Sequence, residues 1–121
     1  MPPYWKTFIE EHHLDGAEFA WKVKSGDFEF ERQIRLLSEE EARQEAEEAY
    51  PGIIVSKDGF RAVADDLCPS GDPYFICEDD GVGGPLYKIY HDSVADKDYR
   101  REDAVVVALT DYRALLQHRK A

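Results

Sequence analysis

The sequence predicts an α+β domain in which helices pack against an antiparallel or mixed, meandering sheet. Three observations lead there. The chain opens on an amphipathic helical repeat, with Trp5, Phe8 and Ile9 at i, i+3 and i+4. Ser38 stands three residues before Glu41, the spacing of a capping box at the head of a second helix. The remaining apolar runs are short and are punctuated by Gly, Asp and Pro, as strands joined by tight turns are.

Taken in order, the first helix is expected over residues 4–12, with Lys6, Glu10 and Glu11 opposite its apolar face, and Leu14-Asp15-Gly16 ends it. Residues 19–23 alternate apolar with small or charged side chains and read as a first strand. After the turn Lys24-Ser25-Gly26-Asp27, Phe28-Glu29-Phe30-Glu31-Arg32 alternates cleanly, as a strand with one buried face does, so the two can form a hairpin. The capping box starts the second helix at Glu39; it runs to about Ala49 and stops before Pro51-Gly52. Its six glutamates accompany the single Arg43, and its apolar positions are Ala42, Ala46, Ala49 and Tyr50, so it packs thinly and presents a wide negative face.

Residues 53–55 read as a strand, Lys57-Asp58-Gly59 as a tight turn and residues 60–64 as the returning strand. Residues 74–78 and 86–91, joined by a loop over 79–84, form a second hairpin of the same kind. Residues 92–103 are a polar connection without a period, and 104–108 a short apolar strand. Thr110 is placed to cap a last helix, with Tyr112, Leu115 and Leu116 facing the core and His118, Arg119 and Lys120 at its C-terminal end.

At 121 residues the chain suits one domain, 1–121, with one core. The net charge of −11 argues against nucleic acid or an anionic membrane as a direct partner, since both require a basic patch. A cationic protein partner fits better, although many soluble chains are acidic for solubility alone. The longest apolar run is too short to span a bilayer, and the N-terminus lacks the basic-then-apolar order of a signal peptide. A cytoplasmic location is expected.

Several constellations invite a chemical reading. Cys68 or Cys77 with His91 is the one nucleophile–base pair worth naming, but neither cysteine sits in a nucleophile motif or at an expected helix N-terminus. The two cysteines are expected as thiols, half-buried. His12, His13, His91 and His118 are scattered without ligand spacing, so no metal and no cofactor is implied. Asp65-Asp66, Asp72 and Asp79-Asp80 lie on turns and could gather at one end of the sheet to bind a divalent cation or supply an acid/base pair; for Asp58, Asp79 and Asp80, bonding to the local backbone is the simpler reading. Gly81-Val82-Gly83-Gly84-Pro85 lacks the Lys-Ser/Thr of a phosphate loop and reads as a hairpin loop. Tyr74, Phe75, Tyr87 and Tyr90 are core or, where exposed beside carboxylates, anchors for a cationic partner.

One local pattern points to a family. Ser70-Gly71-Asp72-Pro73-Tyr74-Phe75-Ile76 is a Gly-Asp-Pro turn leading into an aromatic strand, and with Tyr50-Pro51-Gly52, Gly59-Phe60 and Pro85-Leu86-Tyr87 it resembles the second half of the SMI1/KNR4 (SUKH) superfamily. The likeness covers about residues 50–116. The family's Leu-Pro pair and Asn-Gly turn are missing from the first part, and the chain has no asparagine. The resemblance implies helices packed on a mixed or antiparallel sheet, and a non-catalytic role in binding a partner without cofactor. Many bacterial members are immunity proteins that bind and neutralise toxins, so the leading expectation is an immunity-type protein that covers a basic toxin domain, such as a nuclease, with an acidic surface. Glu39, Glu40, Asp65, Asp66, Asp72, Asp79, Asp80, Tyr90 and His91 are its expected contributors. A regulatory scaffold domain is the alternative, and a small Cys/His hydrolase a third.

Overall fold

A computed structural model describes residues 1–48, 52–68, 71–90 and 99–120. Its centre is a six-stranded, wholly antiparallel sheet in sequence order: β1 (Glu18–Ser25), β2 (Phe28–Leu36), β3 (Phe60–Asp66), β4 (Tyr74–Cys77), β5 (Leu86–Ile89) and β6 (Val105–Leu109). Helices α1 (Pro3–His12), α2 (Glu39–Glu48), α3 (Gly52–Val55) and α4 (Arg101–Ala104) join it, with 3-10 turns at Ser56–Asp58 and Tyr112–Gln117. The α+β class and the meander are as the sequence predicts. Among the described residues no helix is long and apolar enough to cross a membrane.

Both faces of the sheet are covered, which explains why β4 is apolar at every position. Tyr74 and Ile76 join a core with Trp5 and Phe8 of α1, Phe19 and Trp21 of β1, Ile34 and Leu36 of β2, and Tyr112 and Leu115. Phe75 and Cys77 point the other way, into a second core with Val55, Phe60, Tyr87, Ile89 and Ala104. Fully burying each such large side chain contributes about 1.5–3 kcal/mol. A bulge between Ala62 and Ala64 lets β3 serve both cores, since Ala62 belongs to one while Val63 and Ala64 belong to the other.

The local signals hold well. α1 carries Pro3 at its first turn and buries Trp5 and Phe8. The capping box is reciprocal: Ser38 N–H donates to Glu41 Oε1 at 3.0 Å and Glu41 N–H to Ser38 Oγ at 3.2 Å. β1 and β2 pair from Glu18↔Arg35 to Ser25↔Phe28. Gly71 adopts φ +67°, which is why the Gly-Asp-Pro turn requires glycine there. Cys68 and Cys77 carry free thiols.

Four expectations are corrected. Residues 53–55 are not a strand but part of α3, because β3 already has β2 on one edge and β4 on the other. Phe28 and Phe30 are not a buried strand face; they are 79% and 43% exposed, since β1 and β2 run past the covering elements and only Ile34 and Leu36 of β2 are buried. The last turn is capped by Asp111 rather than Thr110, with Arg113 N–H donating to Asp111 Oδ1 at 2.9 Å, and Leu116 faces solvent. His118 to Lys120 do not end a helix. Ala20 N–H donates to His118 O and Lys120 N–H to Glu18 O, which covers the inner half of the β1 edge. The expected helix end at Ala49, Tyr50 and Pro51 lies outside the described residues, as do Ser70, His91 and the connection over 92–98.

Candidate functional site

α2 has little with which to pack. Ala42 is buried and Ala46 half-buried, and a methyl group fills much less of the gap between two helices than a larger side chain would. A cleft of about 260 Å³ therefore opens between α1 and α2. Trp5, Ile9, Leu37, Ala42 and Val63 form its apolar floor, and the exposed Lys6, Glu10, Asp15 and Glu39 stand around its mouth.

The charges of the mouth are unevenly used. Lys6 Nζ lies 2.9 Å from Glu39 Oε1, linking α1 to the first turn of α2. The hydrogen bond raises the Lys6 pKa and lowers that of Glu39. Both groups are well solvated, so the pair adds little stability and can be exchanged. Glu10 and Asp15 have no ion pair among the described residues. An apolar floor under surplus carboxylates suits a lysine or arginine side chain, whose alkyl stem is buried while its head meets the acids.

The acidic face continues from the cleft along α2. Arg35 Nη2 lies 2.9 Å from Glu41 Oε2 and 3.1 Å from Asp65 Oδ2, fastening the helix to β3. Arg35, with the Ser38 N–H, pushes the Glu41 carboxyl down to about 2. Glu45 moves the opposite way, raised chiefly by burial and secondarily by the charge of Asp65. Arg43 spans Glu40 at 3.8 Å and Glu47 at 2.9 Å.

The structure brings Glu39, Glu40 and Asp65 into this neighbourhood and separates the rest. Asp66 is turned inward, its side chain 2% exposed, with Oδ2 held 3.1 Å from Lys88 Nζ; Asp72 is buried. Neither presents a carboxylate to a partner, which corrects their place in the expected surface. Asp79 and Asp80 follow β4 at its far end, away from Asp65, Asp66 and Asp72, so the five carboxylates do not gather. Asp80 accepts from the Tyr87 hydroxyl at 2.7 Å and Asp58 from the Tyr99 hydroxyl at 2.5 Å, so tyrosines rather than the local backbone hold them. Tyr90 is partly exposed, its ring 5.7 Å from Lys88 Nζ. His91 lies outside the described residues.

Lys6 and Glu10 of α1 and Asp15 just after it line the cleft without standing out in the sequence pattern, because a surface charge reads as solvated whatever lies beside it. Cys77 is buried, its Sγ donating to Asp58 O at 3.6 Å, and burial raises its thiol pKa. Cys68, half-buried, is at the opposite end of the β3–β4 pair from Cys77, and both thiols are free as expected. Among the described residues no three of His, Cys, Asp and Glu converge to hold a metal ion. Compared with models of protein families, with curated proteins and with solved structures, the chain matches none.

Proposed function

We propose that this chain is a non-catalytic protein-binding domain of the immunity type, which sequesters a basic toxin domain by seating its cationic side chains in the cleft between α1 and α2. The observation that carries the reading is the cleft itself: an apolar floor of Trp5, Ile9 and Val63 beneath Glu10, Asp15 and Glu39. The acidic face of α2 extends the same charge beyond the cleft, and a net charge of −11 accelerates encounter with a basic partner while disfavouring nucleic acid. The Gly-Asp-Pro strand entry and its resemblance to the SUKH superfamily lend support from the sequence side.

The test is capture of the partner from the source organism's lysate with the tagged chain at low salt, followed by co-expression. A captured basic protein that arrests growth alone, and does not when this chain is present, is the expected result. Capture of proteins without such an effect would remove the immunity reading.

A further inference from the structure

Trp21 and Arg32 stand directly opposite each other in the β1–β2 register, so their side chains leave the same face of the sheet about 5 Å apart. Trp21 Nε1 and Arg32 Nε are both buried and both lack an acceptor, and among the described residues no other side-chain nitrogen or oxygen does so. Trp21 as a whole is 7% exposed. Buried donors are nearly always paired, because one left without an acceptor has lost its water and gained nothing in return.

Arg32 is deficient in charge as well. Its Nη1 donates to the Tyr74 hydroxyl at 3.1 Å, and its guanidinium carbon lies 5.2 Å from the centre of the Phe30 ring, but it has no carboxylate partner among the described residues. Arg35, three positions along the same strand, holds two acids. Lys88, opposite Tyr74 on the same face, is matched by Asp66. Arg32 is therefore a half-buried cation without an acid among the described residues, in a chain with 26 acids and 15 bases.

We propose that Trp21 and Arg32 form a carboxylate-binding site. One oxygen of the ligand accepts from Trp21 Nε1 and the other from Arg32 Nε, and the guanidinium balances the charge. The ligand is a carboxylate, supplied by a small free acid or by an aspartate or glutamate of a polypeptide. Phe30 has to turn aside to admit it; that ring lies near the tip of the β1–β2 hairpin, partly exposed, next to the still more exposed Phe28. The site is independent of the acid-rimmed cleft and stands or falls without it.

Both donors carry a proton bound to nitrogen, so each gives its own signal in a proton–nitrogen correlation spectrum. Trp5, the only other tryptophan, serves as an internal reference. The experiment titrates the full chain with acetate, with a blocked glutamyl tripeptide and with chloride at matched ionic strength. The Trp21 indole and Arg32 Nε signals are expected to move saturably with a carboxylate while Trp5 stays in place. Response to acetate alone assigns a free acid, and response to the peptide alone assigns a polypeptide carboxylate. Arg32→Lys keeps the charge but loses the fork and is expected to weaken binding about tenfold or more. Signals that ignore both carboxylates, that follow chloride equally, or that respond unchanged in Arg32→Lys would overturn the site. Should that variant not fold, Trp21→Phe keeps the ring packing and removes one donor, with the same loss expected.

Discussion

Lys88 Nζ lies 3.1 Å from Asp66 Oδ2 with the two side chains only 10% and 2% exposed, in a pair that joins β5 to the end of β3 across β4. Asp66 Oδ1 also accepts from Cys68 N–H at 2.7 Å, and the ammonium lies 5.7 Å from the ring centres of Tyr74 and Tyr90. Two charges taken this far from water are tolerated because each answers the other.

Removing one of them leaves the other buried. Lys88→Met is therefore expected to cost about 3 kcal/mol. Asp66→Asn keeps the Oδ1 acceptor for Cys68 and discards the charge, so the double variant is expected to be more stable than Lys88→Met alone. Urea denaturation of the three variants measures this. A double variant no more stable than Lys88→Met would show that the pair does not act as one unit.

The Arg35–Glu41 contact sets a pH dependence. Glu41 has its folded pKa pushed down to about 2 from an ordinary value of 4.5, so its contribution is present above about pH 4.5 and is lost as the pH falls towards 2. Glu41→Gln retains an oxygen for the Ser38 N–H and removes the charge facing Arg35. Its deficit is expected to be about 1 kcal/mol at neutral pH, limited by solvent screening, and to vanish in acid. Stability curves of the two proteins from pH 7 to pH 2 check the sign; a deficit that grows on acidification would contradict it.

Gly59 turns the chain from the Ser56–Asp58 turn into β3 at φ +89°, and a Cβ there would stand 3.1 Å from Glu78 Cγ. Gly59→Ala combines backbone strain with a close contact and is expected to lose about 1–3 kcal/mol. Thermal unfolding reads the loss directly, and an unchanged midpoint would mean that the turn relaxes freely.

Ala42 separates stability from binding. The residue lines the cleft between the two helices. Ala42→Leu adds apolar volume where the helices are apart and is expected to raise stability by about 1 kcal/mol. The same side chain occupies the cleft, so partner capture is expected to fall. Gain of stability with undiminished capture would place the interface elsewhere.

Much of the fold is legible because its signals are local. The Trp5-Phe8-Ile9 repeat, the Ser38–Glu41 box and the β1–β2 alternation each concern residues that meet whatever the rest of the chain does. Residues 53–55 carry the composition of a strand but belong to α3, because β3 has no free edge for them and strand neighbours are a property of the whole sheet. Phe28 and Phe30 carry the pattern of a buried face, but how far the covering elements reach is not written in that pattern. In the candidate site the acids of α2 were visible from composition. The cleft was not, since it depends on the width left by Ala42 between two helices, and only that width gives Glu10 and Asp15 a role. Lys88 likewise reads as an ordinary strand lysine until β3, β4 and β5 bring Asp66 beside it.

The most direct test of the cleft as the binding surface compares capture from lysate by the wild-type chain and by the Glu10→Lys/Asp15→Lys variant, at low and at high salt, with bound proteins identified by mass spectrometry. The two substitutions reverse exposed charges at the mouth and are expected to leave the fold intact, which circular dichroism verifies. The account predicts that the wild type retains a basic protein at low salt, releases it at high salt, and that the variant fails to retain it. Equal retention by the variant, or capture by the wild type that does not depend on salt, would contradict the proposal that this cleft and its acids bind the partner.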